Sequence, residues 1–171
     1  MKVYITVGTH EYLKSVSQKY SKETMVLIQN TETSLLFHET HGDTVFKEPR
    51  QYKVVESSGF LEEQGFFVFN HIPVTDEGRP VFEYRFKNRV RLIDQFPGFI
   101  ALRVLRPLLS DTYIVMTVWQ NEDAFNRWQN SKQFKKAQDH STKYKSINKK
   151  KHIFPRPSYV TKYYAEKGGN E

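Results

Sequence analysis

Residues 66–74 read FFVFNHIPV, an aromatic and β-branched run that contains one polar pair, Asn70 and His71. Phe, Val and Ile favour extended backbone, so this run predicts a buried β-strand. Successive side chains of a strand point to opposite faces, which places Asn70 and His71 on opposite sides of the sheet. Both faces of such an aromatic strand must be covered by other elements.

The segments after this strand predict a ferredoxin-like order. Pro80 suits the first turn of a helix, where its missing N–H costs nothing, and Pro97-Gly98 ends that helix. Four apolar residues recur at helical spacing between them: Phe82, Phe86, Val90 and Ile93. The later predicted elements are strands at 99–106 and 113–119, a helix at 121–129, a short helix restarting at Asn130 or Ser131, and a strand at 159–164. The fold class is therefore α+β, with a β-α-β-β-α-β domain whose two helices cover one face of an antiparallel sheet.

The chain before residue 64 forms a second, smaller part. Its predicted order is β-α-β-β, with a strand at 3–8, a helix at 11–20 and strands at 25–29 and 34–39. Residues 52–60 are compatible with either helix or strand. We expect a boundary at 62–65, which divides the chain into 1–63, 64–165 and a disordered tail, 166–171. The N-terminal part should pack on the uncovered face of the larger sheet as an internal pseudo-dimer of the dimeric α-β barrel type; homodimerisation is the alternative.

Composition excludes several classes of protein. The chain has 171 residues and no cysteine, so disulfide scaffolds, thiolate metal sites and cysteine nucleophiles are excluded. Its longest apolar stretch, 99–109, is interrupted by charges and falls short of the roughly 20 residues of a membrane span. The N-terminal residues predict a strand rather than a signal peptide. We therefore expect a cytoplasmic protein that does not contact membranes.

The net charge of +7 is local rather than general. Residues 131–171 contain eleven Lys and Arg against three Asp and Glu, whereas 1–63 contain seven against nine. This basic run is mostly polar, with few aromatic residues to stack on bases, so it indicates a solvated helix end and loop rather than a nucleic-acid partner.

From residue 69 to 138 the chain resembles the antibiotic-biosynthesis-monooxygenase (ABM) domain, and within it the bacterial heme-degrading monooxygenases of the IsdG type. The matching pieces are the strand motif at 69–75, PGF at 97–99, TVW at 117–119 and AFNRWQNS at 124–131 leading to FKKA at 134–137. Over its whole length the chain is similar to the two-part HmoB proteins and to the target of RNAIII-activating protein (TRAP) group. The residues that match these two groups in addition are 8–9, 38–40, 42–46, 103–107 and 156–160.

The resemblance implies a heme-binding monooxygenase that opens the porphyrin ring and releases iron. Heme would be both cofactor and substrate, and an external donor would supply electrons. Asn70 matches the catalytic strand Asn, and Trp128 matches the Trp that distorts the heme. The family's axial His lies ten residues beyond that Trp, where this chain has Gln138, a poor ligand for heme iron. His140 is then the candidate axial ligand, although two residues turn an α-helix by about 200° away from the Gln138 face.

Each of these residues also has an ordinary structural explanation. Asn70 could pair with a neighbouring loop, Trp128 could belong to a buried helix face, and His140 could be a surface histidine. His38, Glu39 and His41 cannot converge on a metal without a bulge, so we expect no metal other than heme iron. The alternative function is a non-enzymatic stress-response or signalling protein, TRAP-like, that keeps the fold but has lost the heme ligand. Gln138 favours this alternative; Asn70 and Trp128 oppose it.

Overall fold

The computed structural model describes residues 1–87, 89–132, 134–135 and 153–165. The strands in these residues are β1 (Lys2–Gly8), β2 (Thr24–Gln29), β3 (Ser34–Thr40), β4 (Arg50–Ser58), β5 (Phe66–Pro73), β6 (Phe99–Pro107), β7 (Thr112–Trp119) and β8 (Tyr159–Ala165). The helices are α1 (His10–Lys19), α2 (Arg79–Phe86), α3 (Val90–Ile93) and α4 (Glu122–Gln129).

All eight strands close one barrel in the order β1-β3-β2-β8-β5-β7-β6-β4. The four strands before residue 63 occupy one continuous sector and the four after it occupy the other. The sectors meet where β4 pairs with β6 and where β8 pairs with β2. The predicted α+β, ferredoxin-like fold with an N-terminal half on its sheet is confirmed.

The barrel interior is the main hydrophobic core, and both sectors contribute to it. Alternate residues face inward, among them Ile5 and Phe37 from the N-terminal sector and Phe67 and Phe69 from β5. This pattern follows from the two-residue period of a strand, which sends every second apolar side chain inside. A barrel-like core within one chain is therefore confirmed.

Helices cover the outer faces of the barrel. Leu13 of α1 packs on the outside of β2 and β3, while Phe82 and Phe86 of α2 cover the outer face of β6 and β7. Phe125 and Trp128 of α4 pack with Trp119 beside them.

Two sequence predictions about elements were wrong in detail. The predicted β-α-β-β order of the N-terminal part lacks one strand, because residues 52–58 of the segment left open between helix and strand belong to β4. Pairing of β4 with β1 and β6 decides this, and those partners are distant in sequence. The continuous helix predicted after Pro80 is two helices, because hydrogen bonds from Lys87 to Tyr84 and from Arg89 to Phe86 tighten the chain between α2 and α3. Its apolar face nevertheless stays on the barrel.

The barrel interior also contains a buried ion pair that sequence reasoning missed. Arg103 Nε donates to Glu39 Oε2 at 2.6 Å, and Nη2 donates to Oε1 at 3.4 Å. The two side chains are only 6% and 9% exposed. Arg103 Nη1 also donates to the carbonyl oxygens of Ser58 and Leu102. The pair therefore ties β3 of one sector to β6 of the other.

Candidate functional site

A cavity of about 360 Å³ lies between the outer face of β5 and β7 and the helices that cover it. Helices α2, α3 and α4 form its roof, and residues 154–158 form one side. Its lining combines aromatic and aliphatic side chains with one amide and three guanidinium groups. The lining includes Asn70, Ile72, Arg85, Phe86, Arg89 and Trp128.

Asn70 points into this cavity from β5. Its Oδ1 is buried and accepts no hydrogen bond from the described residues. His71 faces the other way and donates or accepts a hydrogen bond at Thr161 Oγ1, 2.8 Å from its Nε2. The predicted opposite orientation of the two side chains is confirmed, and Asn70 shares its cavity with Trp128. A buried amide oxygen without a partner is costly unless a ligand or water satisfies it.

Trp128 is both a core residue and a wall of the cavity. Helix α4 begins at an N-cap, where Asn121 Oδ1 accepts the Ala124 N–H at 2.9 Å. The indole is 4% exposed and stacks on Trp119 with ring centroids 6.0 Å apart. The ring of Phe96 meets it edge-on at 5.4 Å. These contacts hold the indole in a single orientation beside the cavity.

The end of α4 supports the predicted helix restart. Ser131 Oγ accepts the Phe134 N–H at 3.1 Å, which is the contact expected of an N-cap. Phe134 then meets the Trp128 ring edge-on at 5.8 Å and lines the cavity.

Two arginines on one side of the cavity give it a positive charge, and sequence reasoning did not select them among the available cations. The Arg85 guanidinium lies 5.9 Å from the centre of the Phe86 ring, and the Arg89 guanidinium lies 5.3 Å from it. Burial and the neighbouring charge of Arg85 lower the pKa of Arg89 to about 10. Both side chains are still cationic at neutral pH, so this side of the cavity suits an anionic group.

A hydrogen-bonded network anchors the helix that carries Arg85. Arg106 donates twice to the Glu83 carboxylate, at 2.8 and 2.6 Å, and the Tyr113 hydroxyl donates to the same group. Burial raises the pKa of Glu83, but the hydrogen bonds from Arg106 and Tyr113 outweigh it and hold the pKa below its usual range. The network pins α2 to β6 and β7 and so positions one wall of the cavity.

Gly98 sets the distance between the α3 side of the cavity and α4. Its φ is +90°, and a Cβ there would lie 2.5 Å from Ala124 Cβ. Only glycine combines this conformation with so close an approach, which explains the PGF motif.

The described part of the chain does not include all of the predicted site residues. Gln138 and His140 are outside the described residues, so the identity of the axial ligand stays a prediction. His38 contacts Glu23 Oε1 at 2.8 Å and Thr44 Oγ1 at 3.1 Å, whereas Glu39 points into the barrel toward Arg103. Within the described ranges no three His, Cys, Asp or Glu residues form a metal-binding group. None of the described helices is long and apolar enough to span a membrane.

Comparison with known proteins identifies the family. The model of the antibiotic biosynthesis monooxygenase family matches residues 65–140. A heme-degrading monooxygenase from Listeria monocytogenes is 30% identical over 130 residues, which cover 76% of this chain and 78% of that protein. The chain belongs to the antibiotic biosynthesis monooxygenase family.

Relatives of this family member carry two kinds of name. The signal transduction protein TRAP of Staphylococcus aureus strain MSSA476 is 27% identical over 146 residues, covering 83% of each chain. The crystal structure of a heme-degrading enzyme from Listeria monocytogenes superposes with a TM-score of 0.71 at 26% identity, covering 96% of this chain and 99% of that one. The predicted resemblance to the ABM domain and to proteins named TRAP is confirmed.

Proposed function

We propose that this ABM-family monooxygenase binds heme in the cavity lined by Asn70 and Trp128 and opens the porphyrin ring oxidatively, releasing iron. The observation that carries the proposal is the buried Asn70 Oδ1, which no described residue satisfies and which shares its cavity with Trp128. The heme-degrading relative and the solved heme-degrading enzyme support the same substrate.

The described residues fit such a group. Trp128, Ile72 and Phe86 give the cavity an apolar lining that suits a large conjugated ring. Arg85 and Arg89 lie on the same side of the cavity, where they would pair with the two propionates. Heme, when bound, supplies the iron at which oxygen is activated and the ring that is oxidised, with electrons from an external reductant.

The protein's own contribution would then be positional. Asn70 would place its amide within hydrogen-bonding reach of a small ligand on the iron. Trp128, held by Trp119 and Phe96, would press on the ring from one side and exclude water. Because those contacts fix the indole, it would keep its position against a bound ring.

We propose His140 as the axial ligand, since Gln138 stands at the family's histidine position and an amide binds heme iron poorly. The test is titration of hemin into the purified protein, followed by its Soret band. His140→Ala should abolish the band of a His-ligated heme, Gln138→Ala should leave it nearly intact, and Gln138→His should tighten binding.

The matched control is His41→Ala, which removes an exposed histidine of the N-terminal sector and should leave the spectrum unchanged. If His140→Ala binds hemin as the parent does, with the same spectrum and turnover, His140 is not the ligand. If the parent shows only weak, non-specific hemin association, the heme proposal fails.

The second candidate is a non-enzymatic stress-response or signalling protein. Gln138 favours it, because loss of the family's axial histidine would leave the fold without a heme ligand. The similarity to proteins named signal transduction protein TRAP supports it as well. A parent protein that does not give the Soret band of a His-ligated heme, combined with a Gln138→His variant that does, would establish that only the ligand had been lost.

A further inference from the structure

A second cavity of about 360 Å³ lies at the mouth of the barrel, where β4 and β8 begin, β5 ends and β6 turns into β7. It shares no lining residue with the cavity under the helices. Beside it, the ladder between β8 and β2 is short. β8 pairs with β5 from Tyr159 onward, but its described ladder with β2 consists of the pairs Ile28 with Ala165 and Gln29 with Tyr164 near its other end. Tyr159 and Leu109 of its lining are exposed, so this mouth is open to solvent.

One wall of this mouth cavity is a rigid aromatic stack. His71 and Tyr159 are directly opposite each other on β5 and β8, with ring centroids 4.4 Å apart and planes only 5° from parallel. Thr161 Oγ1 lies 2.8 Å from His71 Nε2, and this hydrogen bond fixes the imidazole. His71 is buried, whereas Tyr159 is 55% exposed. The tyrosine ring is thus fixed in place with much of its surface available for contact, and the exposed Leu109 adds a further apolar group.

The cavity has one fully charged lining residue among those described, Arg50. Burial, and then the positive charge of Arg50, lower the pKa of His71 from 6.5 to about 4, so the imidazole is neutral at pH 7. Burial raises the pKa of the Tyr52 phenol, which is also neutral. The nearby carboxylate of Asp111 accepts a hydrogen bond from Arg156 at 2.7 Å, so its charge is already balanced. The lining as a whole therefore carries a single positive charge.

We propose that this mouth cavity binds a small planar organic monoanion, an aromatic carboxylate whose charged end pairs with Arg50 and whose ring lies against Tyr159. A guanidinium recognises a carboxylate through paired, charge-assisted hydrogen bonds, and an exposed tyrosine ring favours stacking of a flat partner. The Ser110 hydroxyl lies in the same lining, where it accepts the Thr112 N–H, and its own hydrogen can be donated to the second carboxylate oxygen. The volume suits a molecule with one ring.

The test uses benzoate as the probe and follows the ring protons of His71 and Tyr159 by NMR. Benzoate should shift both signals saturably, and saturation should raise the pKa of His71, because the carboxylate offsets the charge of Arg50. Acetate, which has the charge without the ring, should bind more weakly. Arg50→Gln should weaken benzoate binding about tenfold or more, the loss expected for a charge-assisted pair.

Lys53→Gln is the matched control, because Lys53 is an exposed cation on the same strand that does not line the cavity. It should leave benzoate affinity unchanged. Three results would overturn the proposal: no saturable shift up to about 20 mM benzoate, equal weakening by Arg50→Gln and Lys53→Gln, or equal binding of acetate and benzoate. Displacement of hemin by benzoate would also overturn it, because the anion would then occupy the other cavity.

Discussion

Removing one member of the buried pair of Arg103 and Glu39 should destabilise the fold more than replacing both members. Glu39→Met leaves a guanidinium that is 6% exposed without its carboxylate, and Arg103→Met leaves a carboxylate that is 9% exposed without its cation. Each single change should lower the free energy of unfolding by about 3–5 kcal/mol, because a buried unpaired charge is strongly disfavoured. For a chain of this size that corresponds to a fall of roughly 6–20 °C in Tm.

The double variant Arg103→Met, Glu39→Met should lose far less than the sum of the two single variants, since it buries no unpaired charge. Urea unfolding followed by far-UV circular dichroism measures all four proteins, and the cycle should give a coupling above about 2 kcal/mol. The exposed pair of Arg156 and Asp111 is the matched control: its 2.7 Å contact is as short, but the side chains are 56% and 41% exposed. Single substitutions of Arg156 or Asp111 should hardly change the midpoint of urea unfolding. Additive losses at Arg103 and Glu39 would refute the reasoning.

Two further predictions concern the site and the barrel mouth. Trp128→Ala removes an indole that is 4% exposed, so it should cost about 3–5 kcal/mol of stability and weaken hemin binding. Trp128→Phe should keep most of the stability and most of the hemin affinity. Thermal unfolding measures the first effect and hemin titration the second. His71 has a pKa near 4 in the folded chain against 6.5 when unfolded, so the unfolded state binds the proton first and stability should fall as pH drops from 6.5 toward 4. His71→Gln should flatten that pH dependence, and an unchanged slope in urea melts would contradict the assignment.

Local patterns were sufficient for most elements and for the site's two central residues. The two-residue period of β5 placed Asn70 and His71 on opposite faces, and the helical spacing around Trp128 placed the indole inward. Both orientations depend on neighbours in sequence, so they can be predicted without knowledge of the rest of the fold. The same patterns could not separate helix from strand at 52–60, because β4 exists through its pairing with β1 and β6.

Local sequence patterns could not identify Arg85 and Arg89 as the cations of the site, because their position also depends on tertiary packing. Many Arg and Lys residues are available in the sequence, and only the packing of α2 against the barrel brings Arg85 and Arg89 to one cavity. The break between α2 and α3 likewise depends on i→i−3 hydrogen bonds that the apolar spacing does not predict.

Short segments of sequence were enough to predict the α+β class, the ferredoxin-like order after residue 64 and the family, because these depend on periodicity, turn residues and motifs. The closure of the two sectors into one barrel, and the contact of Arg103 with Glu39 inside it, follow from the tertiary structure. It alone revealed a second cavity beside His71. These features arise where strands distant in sequence come together. The ion pair is buried and the cavity is formed only after the chain has folded.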